Sequence, residues 1–196
     1  MDGSQYIARQ GCARYIDRIT ATLADLDTVA LENGVRLVEQ AWRRGSQIIT
    51  LGNGGSAMTA LHFITDWNKS VFLAGGRKFR GRSLVDNMGL ISAYSNDISY
   101  QDVFLEQLKN IAEPGDLVIA ISGSGNSENV IRAVTYANEI GCETLGLCGY
   151  SGGRLKQIAN HSIWVAVNDM QLSEDVHAMF GHMVMQALCG YGAAAQ

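Results

Sequence analysis

The sequence predicts an α/β protein in which a five-stranded parallel sheet lies between layers of helices. Three observations carry this. Short β-branched runs of four to six residues recur along the chain and end at glycine or polar turns. These runs are apolar almost throughout rather than alternating, as expected of strands covered on both faces. Stretches with helical spacing follow them, giving the βαβα order of a parallel sheet.

Each element follows from the residues. Residues 4–44 lack proline, and apolar residues recur at helical spacing through Ile16, Ile19, Leu23 and Leu26, then Leu31, Val35, Val38 and Ala41, which predicts two helices. Strands are expected at Ser46–Leu51, Asp116–Ile121, Glu143–Cys148 and Ser162–Val167, with a weaker fifth at Arg82–Val85. Helices are expected over 56–67, 88–95, 127–140 and 153–160, and a last one over 172–190 carries Leu172, Val176, Met179, Phe180, Met183, Val184 and Leu188. Pro114, in EPGD, marks a turn before a strand. The tail GYGAAAQ is expected to fray.

Composition narrows the function. At 196 residues and 47% hydrophobic content the chain suits one well-buried core. A net charge of -4 without a local Lys/Arg run disfavours nucleic acid and anionic membranes as partners. The four cysteines show no CxxC spacing, so neither a zinc ribbon nor a disulfide framework is expected, and reduced thiols in a cytoplasm fit best. The start, MDGSQYIARQ, has no signal-peptide pattern, and no segment reaches the length of a membrane span.

Two loops are shaped for phosphate. Asn53, Gly54, Gly55 and Ser56 follow a predicted strand and open a predicted helix, where glycines let backbone N–H groups approach an anion and the helix start adds unsatisfied donors. Ser122, Gly123, Ser124, Gly125, Asn126 and Ser127 repeat the arrangement after DLVIAI with three serine hydroxyls. Helix capping by Ser127 or Asn126 is the simpler account, but capping needs only one such residue. Neither loop matches GxxxxGK[ST] or the GxGxxG fingerprint with its distant acid, which disfavours ATP and NAD. Two clusters carry candidate chemistry. His62 and Asp66 share one face of a helix at i, i+4, and Glu174, Asp175, His177 and His182 lie on or just before the last helix. His161, outside both, reads as structural.

In GNGGSAMTALHF, NDISYQDVF, SGSGNSENVIRA, GYSGG and SEDVHAMFGH, in that order, the chain resembles the SIS (sugar isomerase) domain family over nearly its whole length, and within it the phosphoheptose isomerases. The resemblance implies a flavodoxin-like, Rossmann-like sheet in one domain over 1–196, with 1–45 a helical oligomerisation segment and 46–190 the α/β core. It implies a homotetramer with active sites at subunit interfaces, and a phosphorylated ketose or aldose as substrate. Ser56, Ser122, Ser124 and Ser127 inherit phosphate contacts, with Asn53, Gly54, Gly55 and Gly123 completing the loops and Asp97 and Glu174 at the sugar. Asp66 inherits the role of base and His182 that of acid, with Zn2+ among His62, Asp66, Glu174 and His182.

The chain departs from that family's usual residues in several places. Aspartate at 66 replaces glutamate and shortens the base by one methylene, a change able to displace it by about 1 Å and slow the reaction roughly 100-fold. Glutamate at 174 replaces glutamine and adds charge to the metal set, which implies tighter metal binding. Gly123 replaces threonine and removes a hydroxyl, and Asn87 stands where aspartate is common. If Glu174 and His182 share one straight helix they stand about 12 Å apart along its axis. Either the helix begins after Glu174 or the two ligands come from different subunits, and the second is the expectation.

The leading expectation is an isomerase of sedoheptulose 7-phosphate, yielding a heptose 7-phosphate for cell-envelope or capsule precursors. Alternatives are isomerisation of a related sugar such as an octulose phosphate, or a non-catalytic phosphosugar-binding adaptor. The imidazole at His182, which the adaptor relatives lack, favours an enzyme. A transcription regulator requires a basic helix-turn-helix segment that the sequence does not show.

Overall fold

A computed structural model describes residues 3–190. Helices α1 (Gly3–Ala24) and α2 (Thr28–Arg44) open the chain as expected. The Asp27 carboxylate starts α2 by accepting from the Ala30 N–H at 3.0 Å, and Gly45, at φ 77°, ends it. Helix α2 buries Leu31, Val38 and Ala41 against the sheet, so half of the segment expected to serve oligomerisation also builds the core. Helix α1 leaves Tyr15 and Ile16 exposed and is tied to the body by a bond from the Tyr15 hydroxyl to Asp175 and an ion pair of Arg18 with Asp169, both 2.6 Å.

The α/β part then runs β1 (Ile48–Gly52), α3 (Gly55–Asp66), a π-helical turn (Trp67–Val71), α4 (Phe72–Gly75), β2 (Gly81–Ser83), α5 (Met88–Asp97), a 3₁₀ turn (Tyr100–Asp102) and α6 (Val103–Ile111). It continues through β3 (Leu117–Ser122), α7 (Glu128–Glu139), β4 (Glu143–Cys148), α8 (Gly153–Ile158), β5 (His161–Trp164) and α9 (Met170–Cys189). All strand pairs are parallel, in the order β2-β1-β3-β4-β5. Successive side chains alternate between two cores. Ile48, Leu117, Ile119, Ile121, Leu145, Leu147 and Ile163 pack under α2, α3 and α9, with Phe63, Trp67 and Phe180. Ile49, Leu51, Val118, Ala120 and Cys148 pack on the other face under α6 and α7, with Phe104, Leu108, Val130 and Val134. The result is the expected three-layer architecture.

Helix α6 was not foreseen: it buries Val103, Phe104 and Leu108 together with the polar Gln107, an apolar stripe too short to stand out beside the polar NDISYQD stretch. Strand β2 is brief because it pairs only with β1. Strand β5 stops at Trp164, before the expected Val167, and α9 starts at Met170 because Asp169 caps it, accepting from the N–H groups of Gln171 and Leu172. The expected fraying of the tail concerns residues 191–196, which lie outside the described ones. Among the described residues no helix is long and apolar enough to cross a membrane. The four cysteines are free, and burial pushes the thiols of Cys142 and Cys148 up to about 11, which leaves them poor nucleophiles at neutral pH.

Candidate active site

The connections leave β1 toward one edge of the sheet and β3 toward the other, so the crevice between these neighbouring strands is the point where ligands collect in such folds. Both predicted loops emerge there. They line one cavity of about 280 Å³, whose wall includes Asn53, Gly54, Gly55 and Ser56 from the first loop and Ser122, Gly123, Ser124 and Ser127 from the second. Helix α9 closes it with Met170 and Glu174. None of the described residues lining it is a lysine or arginine, and Glu174 adds a carboxylate, so an anion there would rely on neutral donors.

The caps show what those donors are. Asp27, Asn87 and Asp169 each place a side-chain acceptor on the first turn of α2, α5 and α9. The residue ahead of the helix makes no side-chain cap at α3, which starts behind Gly54, or at α7, which starts behind Ser127, although the Val130 N–H in the first turn of α7 is taken by Asn129. Two helix starts with uncapped N–H groups therefore converge on the cavity, each with its positive dipole end. Gly54 sits at φ 54° and ψ −123°, a conformation that only glycine adopts freely. The Ser127 hydroxyl lies 3.3 Å from that of Ser122, which also accepts from the Gly125 N–H at 3.2 Å. The Ser124 hydroxyl accepts from the Asn126 N–H at 3.2 Å. Simple capping by Ser127 or Asn126 is thus not what these side chains do.

Asn53 borders the cavity with its amide already engaged. It exchanges hydrogen bonds with Asn129 of α7, at 2.9 and 3.0 Å, and accepts a third from the Tyr100 hydroxyl at 2.8 Å. Gly55 matters for want of a side chain, because a Cβ there would stand 2.5 Å from a Glu174 carboxylate oxygen. Gly123 is similar: a Cβ would overlap the Met170 sulfur, so this thioether occupies the space that a threonine at 123 would need.

His62, Asp66 and His182 form a second group, where α3 crosses α9. The two imidazole Nε2 atoms are 3.0 Å apart, and Asp66 Oδ2 lies 3.2 Å from His62 and 3.9 Å from His182. Ligands about 2.0–2.1 Å from a tetrahedral zinc stand about 3.4 Å from one another, so the three separations fit such an ion. Among the described residues these three form the group able to hold a metal. They are accessible, with half of each imidazole side chain exposed and about a quarter of the carboxylate.

Other expected site residues stand apart within this chain. Helix α9 includes both Glu174 and His182, which removes the alternative of a helix beginning after Glu174. Glu174 lines the cavity instead of joining the three-residue group. Asp97 ends α5, exposed and hydrogen-bonded by Asn96, away from the cavity wall. Asn87 caps α5 by accepting from the Leu90 N–H at 3.1 Å. His177 is fully buried, and neither ring nitrogen finds a hydrogen-bond partner, although its ring approaches the backbone of Cys148. Burial pushes its pKa down to about 4, partly offset by that backbone, so it is neutral at pH 7. Met170, Asn129 and Tyr100 escaped sequence reasoning because nothing local marks a residue whose partner is distant.

Known proteins resemble this chain. Residues 13–149 match the SIS domain model. The phosphoheptose isomerase of Aliarcobacter butzleri is 34% identical over 81% of this chain and 83% of its own. A probable phosphoheptose isomerase of Thermoplasma acidophilum is 33% identical over 94% of this chain and 96% of its own. Among solved structures, phosphoheptose isomerase GmhA from Neisseria gonorrhoeae superposes with a TM-score of 0.84 at 23% identity, covering 92% of this chain and 98% of that one. The chain belongs to the SIS domain family and, within it, to the phosphoheptose isomerases.

Proposed function

We propose that this chain is an aldose–ketose isomerase that converts sedoheptulose 7-phosphate to D-glycero-D-manno-heptose 7-phosphate in the cytoplasm. The observation that carries the reading is an anion cradle and an imidazole–carboxylate cluster arranged along one helix, α9, through Glu174 and His182. Eight residues of helix correspond to about 12 Å. An extended seven-carbon chain with its phosphoester spans about 10 Å at ordinary bond lengths. The two lengths are of the same order, so one substrate can reach from a phosphate cradle to an imidazole–carboxylate cluster.

The reaction needs a base and an acid. Asp66 takes the proton from C1 of the ketose while His182 protonates the C2 oxygen, giving the enediol. Return of the proton from Asp66 to C2, with loss of the O1 proton to His182, yields the aldehyde at C1. Ser56, Ser122, Ser124 and Ser127 hold the phosphate, and Glu174 and Asp97 serve the sugar hydroxyls. His62, Asp66 and His182 would hold Zn2+, which would supply a Lewis acid for a carbonyl oxygen. In a homotetramer, Glu174 of a neighbouring subunit completes that ligand set, since within one chain it faces the cradle.

Incubation with sedoheptulose 7-phosphate and zinc, followed by NMR in deuterated water, tests the reading. Formation of the aldose is expected, with deuterium at C2 to the extent that Asp66 exchanges its proton with solvent before returning it, and absence of any aldose from a phosphoketose overturns the reading. Absence of turnover with an octulose phosphate accepted instead assigns the alternative substrate. Mixing Glu174→Ala with His182→Ala protein tests the shared site: hybrids regain activity if ligands cross the interface, and no recovery counts against it.

A further inference from the structure

Each of the three clustered side chains is followed or preceded in the chain by a residue of one tight contact. His62 precedes Phe63, Asp66 precedes Trp67, and Gly181 precedes His182. Phe63 and Trp67 are fully buried and stacked, with ring centroids 4.8 Å apart, and Phe63 also meets the edge of Phe180 at 6.1 Å. A Cβ on Gly181 would fall well under 3.0 Å from the Phe63 ring. The ring is held by its neighbours on either side and cannot swing away. The Trp67 indole N–H donates to the Gly181 carbonyl at 2.9 Å, also buried. A π-helical turn begins at Trp67, directly after Asp66, as such turns often do beside functional groups.

Glycine is a poor choice for a buried helix interior unless something needs the space. Here Phe63 of α3 fills it, with Trp67 of the π-helical turn stacked on it, and α9 is clamped in place by a ring and an indole N–H. The cluster separations of 3.0 and 3.9 Å to His182 are measured at this clamp. A side chain at 181 would meet the Phe63 ring and push the two helices apart.

We infer that Gly181, Phe63 and Trp67 are positioning residues that set the reach from Asp66 to His182, a reach that any side chain at 181 would lengthen by pressing on the Phe63 ring. The inference rests on the cluster being the metal and proton-transfer site proposed above. It concerns no substrate contact: the clamp acts through the three side chains it places.

Zinc titration calorimetry on the intact protein tests it, with isomerase activity as a second reading. Wild type is expected to bind one zinc per chain, and Gly181→Ala to bind it about 10- to 100-fold more weakly, the usual effect of disturbing the support of a ligand. Trp67→Phe keeps the ring, removes the N–H and weakens zinc in the same direction. The distinguishing result is rescue: Asp66→Glu weakens zinc in the wild-type background by crowding, yet restores most of the affinity in Gly181→Ala. Equal effects of Asp66→Glu in both backgrounds overturn the inference, as does zinc affinity unchanged by Gly181→Ala. If Gly181→Ala does not fold, unchanged zinc affinity in Trp67→Phe overturns it. Wild-type protein that binds no zinc overturns the site reading as well, which separates the two failures.

Discussion

Asn53 and Asn129 exchange amide hydrogen bonds, each Nδ2–H donating to the other Oδ1 at 2.9 and 3.0 Å. The pair joins the first glycine-rich loop to the helix that begins at the second. Tyr100 adds a third bond to Asn53, and the Val130 N–H donates to Asn129 at 2.9 Å. The side chain of Asn53 therefore sets the distance between loops, and its place in the cavity wall is a by-product of that role. Asn129→Ala leaves half-buried amide groups unpaired, a loss of about 1–3 kcal/mol in the geometry of the cradle. Inorganic phosphate is expected to bind roughly 5- to 100-fold more weakly by calorimetry while zinc affinity stays within about twofold. An unaltered phosphate affinity would remove the pair from this role.

The buried His177 makes a prediction about pH. Its pKa lies near 4 in the folded protein against 6.5 ordinarily, because burial disfavours the imidazolium. Above pH 6.5 it is neutral in both folded and unfolded chains and contributes nothing. Between 6.5 and about 4 the unfolded chain takes up the proton first, so stability falls with pH, by about 3 kcal/mol at most, and levels off below 4. Replacement by Leu, similar in volume and without titration, should flatten that part of the urea-unfolding profile. A profile as steep as that of the wild type places the acid sensitivity in other groups.

What the sequence revealed and what it hid divide along a physical line. The strands and the two glycine- and serine-rich loops are local patterns, and a period or a turn residue announces them. So is the pairing of His62 with Asp66, one helical turn apart. The arrival of His182 beside them depends on the crossing of α3 and α9, visible only through Gly181, a glycine inside a helical run. The division of α9 between two tasks was open to arithmetic alone, since eight residues of helix cannot bring Glu174 and His182 to one point. Met170 and Asn129 were invisible because each matters only for what faces it across the fold. Helix α6 was hidden for a different reason, its apolar stripe being as short as many loop segments.

Removing the metal should separate the two halves of the site. Dialysis against EDTA is expected to abolish isomerisation, and stoichiometric zinc to restore it. His62→Ala should weaken zinc by at least about tenfold, since one of the three clustered ligands is lost. Phosphate binding should survive the same change, because His62 is not part of the cradle wall. Full activity after exhaustive chelation, verified by metal analysis, would leave the reaction to Asp66 and His182 alone.

Gly123 and Met170 make the last prediction, because they divide one volume between them. The Met170 sulfur lies where a Cβ at 123 would begin, and the backbone at 123 is not in the left-handed region, so only the thioether excludes a side chain there. Gly123→Thr alone overfills the cradle and should cost about 1–3 kcal/mol, seen as phosphate binding weakened roughly 5- to 100-fold. Met170→Ala alone empties space at the mouth and should change phosphate affinity only slightly. Together the two let a threonine hydroxyl point at the anion with room to do so, and affinity should return to within about twofold of the wild type or exceed it. The non-additivity, on the order of 1–3 kcal/mol, is the signature of direct contact in a double-mutant cycle. Effects that simply add would mean that the methionine moves aside at no cost, and that the loop tolerates a side chain at 123 without its help.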